Sequence, residues 1–218
     1  MKQFAVVGNP IKHSKSPIIH QEFAKQFAIE LEYKKILAPV DQFSSFINQF
    51  FADGGYGLNV TLPFKEQAFS LAQVVAPRAQ LAKAANTLYM QDGKLVADNT
   101  DGAGLVRDLL FHNEEIKNKR VLLLGAGGAA RGALPALLAE QPAQITLANR
   151  TKQKAQAVVS DLGSVKVIAC DLSEVAGSHE LIINSTSSSV SGGIPALDTD
   201  CLKNTEFAYD MFYSQDKT

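Results

Sequence analysis

The stretch Val121-Leu-Leu-Leu124-Gly125-Ala-Gly-Gly-Ala-Ala130 decides the fold of the second half of the chain. Four consecutive apolar residues suit a strand buried on both faces of a sheet. The glycines follow that strand directly and open a helix predicted over Ala129 to Ala139, the context that gives a G-x-G-x-x-A pattern its meaning. Glycine lets the backbone turn tightly and approach a pyrophosphate, whose charge is met by the free amides of the helix start. Gly125, Ala126, Gly127, Gly128 and Ala129 are therefore candidate cofactor-binding residues. The competing reading is an ordinary glycine-rich strand-to-helix turn.

Downstream of this unit, short apolar strands recur at Ile145 to Ala148, Val165 to Ala169, Leu181 to Asn184 and Phe207 to Tyr209, with helical or loop segments between them. That alternation predicts a doubly wound parallel sheet. The second strand ends in Asn149-Arg150-Thr151, about 24 positions after Gly125, where a ribose-reading residue belongs. An acid there accepts from both ribose hydroxyls and selects NAD; none is present. Arg150 instead offers a planar fork to a phosphate, and Lys154 a second positive charge, so NADP is the expected cofactor. The alternative for both residues is a solvated helix start.

The first half reads differently. Phe4 to Gly8 suits a buried strand, and Ser16-Pro17 supplies an N-cap and a first-turn proline for a helix whose Ile19, Phe23 and Phe27 form an apolar i, i+4 face. Leu31 to Leu37 is a second strand, Asp41 caps a helix carrying Phe43, Phe46, Ile47 and Phe50, and Tyr56 to Val60 is a third strand. Asn86 to Met90 and Lys94 to Ala97 flank Gln91-Asp-Gly93 and predict a hairpin. The expected architecture is α/β: an N-terminal mixed-sheet domain over residues 1–101, then a Rossmann-like doubly wound domain over 102–218, joined by a helix from Asp101 to about His112. After the last strand only residues 210–218 follow, so the second domain reads as incomplete at its C-terminal end.

Composition bounds the function. Twenty-one Lys and Arg against 22 Asp and Glu give a formal charge of −1, which implies no broad basic surface for nucleic acid. Hydrophobic residues make up 46% and charged residues 20%, enough for sizeable cores. The longest mainly apolar stretch, Val121 to Ala139, carries Arg131, Pro135 and several glycines, unlike a membrane span. The residues before Asn9-Pro10 are too few for a secretory core segment, so the expected location is the cytoplasm. Cys170 and Cys201 lack metal-ligand spacing to the scattered histidines and read as free structural thiols. No metal site is expected.

Polar residues of the first half gather in short clusters. Asn59-Val-Thr61-Leu-Pro-Phe-Lys65 puts two short polar groups at a strand end and a lysine in the first helical turn, where the helix dipole opposes its charge. Asn86-Thr87 and Asp98-Asn-Thr-Asp101-Gly102 add more, with Asp101 at the junction of the halves. Ser14 and Ser16 flank Lys15 and are able to bind a carboxylate through neutral hydrogen bonds, although Ser16 alone reads as a helix cap. His13 and His20 have no spaced partner and read as packing or surface residues.

Together these residues resemble the shikimate dehydrogenase family over nearly the whole chain. Gly8-Asn-Pro-Ile-Lys-His-Ser14-Lys-Ser16-Pro17 looks like the family's serine substrate motif, and Asn59 to Lys65 like its catalytic motif. Ala85-Asn86-Thr87, Asn99 to Gly102, the glycine turn, the Asn149-Arg150-Thr151 triplet with Lys154, and Tyr209-Asp-Met211-Phe-Tyr213 follow in the family's order. The resemblance implies an NADP-dependent oxidoreductase interconverting 3-dehydroshikimate and shikimate on the route to aromatic amino acids. It implies that Ser14 and Ser16 bind the substrate carboxylate, that Asn59, Thr61, Asn86 and Asp101 hold ring hydroxyls, and that Lys65 and Asp101 form the catalytic pair. It also implies Tyr213 at the substrate, Thr186 and Met211 at the cofactor, and a monomer or homodimer. Ala85 and Ala97 depart from a more usual valine and glycine. Family members continue beyond the position of Thr218 with a segment that completes the nicotinamide pocket and brings a glutamine to the substrate. Two other readings stay open: a quinate/shikimate dehydrogenase preferring NAD, and a binding module without turnover.

Overall fold

A computed structural model describes residues 1–188 and 193–213. The chain divides into two compact units, Met1–Thr100 and Asp101–Thr218.

In the first unit β1 (Lys2–Gly8), α1 (Ser16–Gln26), β2 (Leu31–Leu37), α2 (Phe43–Ala52), β3 (Gly55–Val60), α3 (Lys65–Leu71), β4 (Val74–Val75), α4 (Pro77–Ala82), β5 (Thr87–Gln91) and β6 (Lys94–Asp98) build one six-stranded sheet of order β2-β1-β3-β5-β6-β4. β1 runs parallel to β2 and β3, while β5 pairs antiparallel with both β3 and β6. The sheet is mixed, as the sequence predicts. Period-two alternation explains why β1 reads as an unbroken apolar run: Ala5 and Val7 enter the cluster with Phe43, Ile47, Phe64 and Leu88, whereas Val6 enters a smaller one with Ile11 and Tyr33 on the opposite face. Asp92 and Gly93, both at positive φ, close the predicted hairpin with the two-residue turn whose twist matches the strands.

Three local expectations are corrected, and two short elements are added. Ser16 is the first residue of α1, not its cap; Lys15 holds the cap position, its side chain making no capping bond, and the Ser14 hydroxyl accepts the Ser16 N–H at 3.3 Å. Asp41 does not cap α2, because a 3-10 turn over Val40–Gln42 intervenes and Gln42 precedes the helix. The Ile19, Phe23 and Phe27 face of α1 is turned outward, at 46%, 51% and 72% exposure, since the helix meets the sheet through the small Ala24. The short β4 and α4 had no periodic signal to announce them.

In the second unit α5 (Asp101–Phe111), β7 (Arg120–Leu124), α6 (Gly128–Ala139), β8 (Gln144–Ala148), α7 (Lys152–Leu162), β9 (Val167–Cys170), β10 (Leu181–Asn184) and β11 (Phe207–Asp210) form an all-parallel sheet of order β11-β10-β7-β8-β9. This is the doubly wound order, with β7 at the point where the connections reverse direction. Both faces of β7 are covered: Val121 and Leu123 pack with α6 residues such as Leu134 and Leu137, and Leu122 and Leu124 pack with Ile182 and Cys201. β9 begins two residues later than predicted, because Ser164 holds a turn against Lys166 and Val167 that leaves Val165 exposed. No helix among the described residues is long and apolar enough to cross a membrane. Residues 214–218, which the sequence reading included in the incomplete end of this domain, lie outside the described residues.

Candidate functional site

In open α/β sheets ligands bind beyond the carboxyl ends of parallel strands. In the first unit that edge carries Gly8, Leu37 and Val60, and the candidate motifs start there. The Asn9 N–H donates to the Leu62 carbonyl at 3.0 Å, the Thr61 N–H to the Val7 carbonyl at 2.9 Å, and the Asn9 side chain to the Ala38 carbonyl at 3.0 Å. The serine motif and the Asn59–Lys65 motif are thereby tied together. Cis prolines follow Asn9 and Leu62 in the two loops. Gly8 is required by close approach, since a Cβ there would collide with the Thr61 methyl group. Ser14, only 4% exposed, donates its hydroxyl to Ser16 Oγ at 3.2 Å, so the two serines form one polar corner.

Lys65 opens α3 half-buried, anchored by Phe64, which is fully buried and stacked on Phe43 with centroids 4.4 Å apart. The Lys65 carbonyl accepts the Ala85 N–H at 2.8 Å, bringing Asn86 alongside. Asn86 is held from several sides. Its Oδ1 accepts the Thr87 hydroxyl at 2.8 Å and the Thr100 N–H at 3.0 Å, and its Nδ2 donates to Thr100 Oγ1 at 2.7 Å. Asn59 continues the chain through Nδ2, 3.4 Å from the Asn86 carbonyl and 3.5 Å from Thr87 Oγ1.

Behind this cluster Arg78 grips both carboxylate oxygens of Asp98, at 2.6 and 2.5 Å. The guanidinium holds that carboxyl below the usual carboxylate range. Asp98 also accepts the Asn99 N–H at 2.7 Å, and buried Asn99 donates to the Ala84 carbonyl at 2.9 Å. The approach to Asp101 is thus fixed. Asp101 itself is the first residue of the second unit, at the start of α5, where the helix dipole favours a carboxylate.

In the second unit the cofactor candidates lie along the carboxyl edge of β7, β8 and β10. Gly125 turns at φ +102°, its N–H donates to the Ala148 carbonyl at 2.8 Å, and a Cβ there would stand 2.9 Å from Ser185 Oγ. Ala126 is buried under the turn, Gly127 caps α6, and Gly128 and Ala129 form its first turn. Beside it Asn149 stands at the end of the next strand: its N–H donates to the Cys170 carbonyl at 3.2 Å and its Nδ2 to the Thr151 carbonyl at 2.9 Å. Arg150 and Thr151 precede α7, so Arg150 and Lys154 are not a helical i, i+4 pair as their spacing implied. Among the described residues neither cation has an ion-pair partner, whereas neighbouring Lys152 is engaged by Glu174 at 2.7 Å. Thr186 is oriented through Asn184, at 2.8 Å, and Met211 through the Asn184 carbonyl, at 2.9 Å. Tyr213 is 44% exposed beside Phe212. The glycine cradle, the start of a twelve-residue helix and two cations that no described residue engages fit a dinucleotide carrying an extra phosphate. No cluster of three or more His, Cys, Asp or Glu among the described residues is placed to hold a metal.

The sequence reading missed Tyr33 and set His20 aside. Tyr33, 6% exposed, donates to Asn59 Oδ1 at 2.6 Å, and the His20 ring stacks on it. Nothing local pairs positions so far apart in the chain; only the order β2-β1-β3 does.

Comparison with known proteins follows the same division. Residues 6–88 match the family model described as the shikimate dehydrogenase substrate binding domain, and residues 109–191 the one described as shikimate / quinate 5-dehydrogenase. The shikimate dehydrogenase (NADP(+)) of Marinobacter nauticus is 50% identical over 221 residues, which span 99% of this chain and 80% of the relative. That of Aeromonas salmonicida is 48% identical over 215 residues, 98% of this chain and 79% of the relative. The shikimate 5-dehydrogenase of Thermus thermophilus, solved in complex with NADP(H) and shikimate, matches with a TM-score of 0.82 at 29% identity, over 96% of this chain and 78% of that one. Two family models in series and identity near one half along nearly every position leave one conclusion: the chain belongs to the shikimate dehydrogenase family.

Proposed function

We propose that the chain interconverts 3-dehydroshikimate and shikimate as an NADP-dependent oxidoreductase. The observation that carries this reading is the pair of strand edges: one bears a fixed set of neutral donors and acceptors with a lysine, the other a glycine cradle with two cations that no described residue engages. A polyhydroxylated ring acid and a phosphorylated dinucleotide are the ligands those two surfaces suit.

In this reading residues 1–101 form the substrate domain and 102–218 the cofactor domain. The backbone amides at Gly125 to Ala129 hold the pyrophosphate, Arg150 and Lys154 the 2′-phosphate, with Asn149, Thr151, Thr186 and Met211 shaping the remainder. When bound, the nicotinamide supplies or accepts the hydride. The Ser14 and Ser16 hydroxyls orient the substrate carboxylate, and Asn59, Thr61, Asn86 and Tyr213 fix the ring. Lys65 donates a proton to the carbonyl oxygen as it is reduced, and takes one from the hydroxyl in the reverse direction. Asp101 holds the lysine and a ring hydroxyl in place. The near-zero net charge supports a small-molecule substrate and no nucleic-acid partner, the two unpaired cysteines support a cytoplasmic setting, and we assign a monomer or homodimer.

The test is oxidation of shikimate and of quinate, each with NADP and with NAD. Turnover is expected with shikimate and NADP, at least about tenfold weaker in kcat/KM with NAD, as one charge-assisted contact dictates. Failure with shikimate under both cofactors overturns the reading, and preference for quinate or NAD redirects it.

A further inference from the structure

The Asn59 amide is bonded asymmetrically. Its Oδ1 accepts the Tyr33 hydroxyl at 2.6 Å, a short bond from a buried ring. His20, whose ring lies parallel to that of Tyr33 with centroids 4.4 Å apart, hydrogen-bonds the Asn59 side chain as well. Burial holds the His20 ring below its ordinary pKa, so at neutral pH it is uncharged and carries one N–H. Tyr33 thus holds the carbonyl end of the amide. Among the described residues the Nδ2 end has only long contacts, 3.4 Å to the Asn86 carbonyl and 3.5 Å to Thr87 Oγ1, beyond the usual range for N–H···O. The amide is therefore firmly held as an acceptor and underused as a donor.

We propose that His20 and Tyr33 are positioning residues that fix the Asn59 amide with its NH2 group presented to the substrate, so that Asn59 acts there only as a donor to a ring-hydroxyl oxygen. The inference rests on the shikimate reading above for the identity of the ring. The geometry that makes it possible is the strand order. Tyr33 on β2 reaches across β1, over Val6, to Asn59 on β3, and α1 lays His20 on top of the tyrosine ring. An asparagine without these two partners would be free to turn its amide over and offer an oxygen instead. A hydroxyl ligand tolerates both ends, and would then be held in two ways rather than one.

The test compares Tyr33→Phe, which keeps the ring, and His20→Phe, which keeps the stack, with the unaltered chain, on shikimate and on its three monodeoxy analogues. Tyr33→Phe is expected to raise KM for shikimate about three- to tenfold, the net value of one neutral hydrogen bond. His20→Phe should give a smaller rise of the same kind, kcat staying within about twofold and NADP binding unchanged. For one analogue, the one lacking the hydroxyl that Asn59 meets, both variants should match the unaltered chain. An unchanged KM, or an equal penalty on all three analogues, overturns the proposal. A second measurement needs no turnover: the Asn59 side-chain amide nitrogen, assigned by its loss in Asn59→Ala, should move to lower frequency in Tyr33→Phe, as Oδ1 loses its donor, and by less in His20→Phe. A resonance that stays in place overturns the relay. Movement of that resonance in a chain that does not oxidise shikimate upholds the relay and removes only the substrate reading.

Discussion

The two strand edges are built on opposite plans. In the first unit nearly every candidate side chain is bonded to another: Ser14 to Ser16, Tyr33 to Asn59, Thr87 to Asn86, Asn86 to Thr100. In the second, the Gly125 turn works through backbone and Arg150 and Lys154 extend without partners among the described residues. A ring acid is distinguished by where each hydroxyl points, so its donors and acceptors must be set before it arrives. A pyrophosphate is met by backbone amides that any helix start supplies, and a surface phosphate by charge that needs little prior ordering. Changes in the first edge should therefore act on turnover and substrate binding, and changes in the second on the cofactor alone.

The sharpest test of that separation is Lys65→Ala. It should leave NADP binding by fluorescence intact while lowering kcat at least about a hundredfold, the usual contribution of a positioned acid/base group. A near-normal kcat with a raised KM would make Lys65 a binding residue and shift the acid/base role to Asp101. Arg150→Asp is the counterpart on the other edge. It should cost about ten- to a hundredfold in NADP affinity and move the preference toward NAD, with KM for shikimate unchanged. An unaltered NADP-to-NAD ratio would show that another group reads the phosphate.

Two glycine substitutions give a smaller and more even contrast. Gly8→Ala drives a methyl into Thr61, and Gly125→Ala combines an unfavourable φ with crowding by Ser185. Each should cost about 1–3 kcal/mol of stability, seen in denaturant titrations. The first should raise KM for shikimate and the second KM for NADP; the reverse assignment would break the comparison.

The smallest effect is on acid stability. His179 is buried against Thr146 with Nε2 3.0 Å from Oγ1, its Nδ1 has no partner among the described residues, and burial followed by repulsion from Arg120 lowers its pKa. The unfolded chain then binds a proton that the folded chain refuses, so stability is full above about pH 6.5 and declines as pH falls toward the folded value. Glu180, gripped by Arg120, is lowered from 4.5 to about 2, so its contribution is present above about 4.5 and lost between there and about 2. His20, lowered by burial in the first unit, adds to the upper limb. Melting temperatures across this range should show two steps, and His179→Gln should flatten the upper one; a single step near 4 would remove the histidine contribution.

These outcomes also measure how far a sequence can be read. The second edge was legible because its parts are local: strand, glycine turn and helix start are contiguous, and Arg150 follows at the next strand end. Even there the helical pairing of Arg150 with Lys154 failed, since Arg150 precedes α7. The first edge was legible as a set of polar residues but not as a network. Ser16 read as a cap although Ser14 takes its N–H, and the apolar i, i+4 stripe of α1 gave no sign that Ala24, not the stripe, is the buried residue of the helix.

Sequence by itself determined the order of strands and helices, the places where the chain turns, and the residue types delivered to each strand end. Backbone periodicity, glycine conformation and helix-start chemistry depend on neighbours within a few positions. Tertiary structure alone decided which strands lie side by side, which face of α1 meets the sheet, and that Tyr33 and His20 should reach Asn59. Those contacts join residues whose separation along the chain carries no signal, and they exist only because the register of β2, β1 and β3 brings one hydroxyl to within 2.6 Å of one amide oxygen.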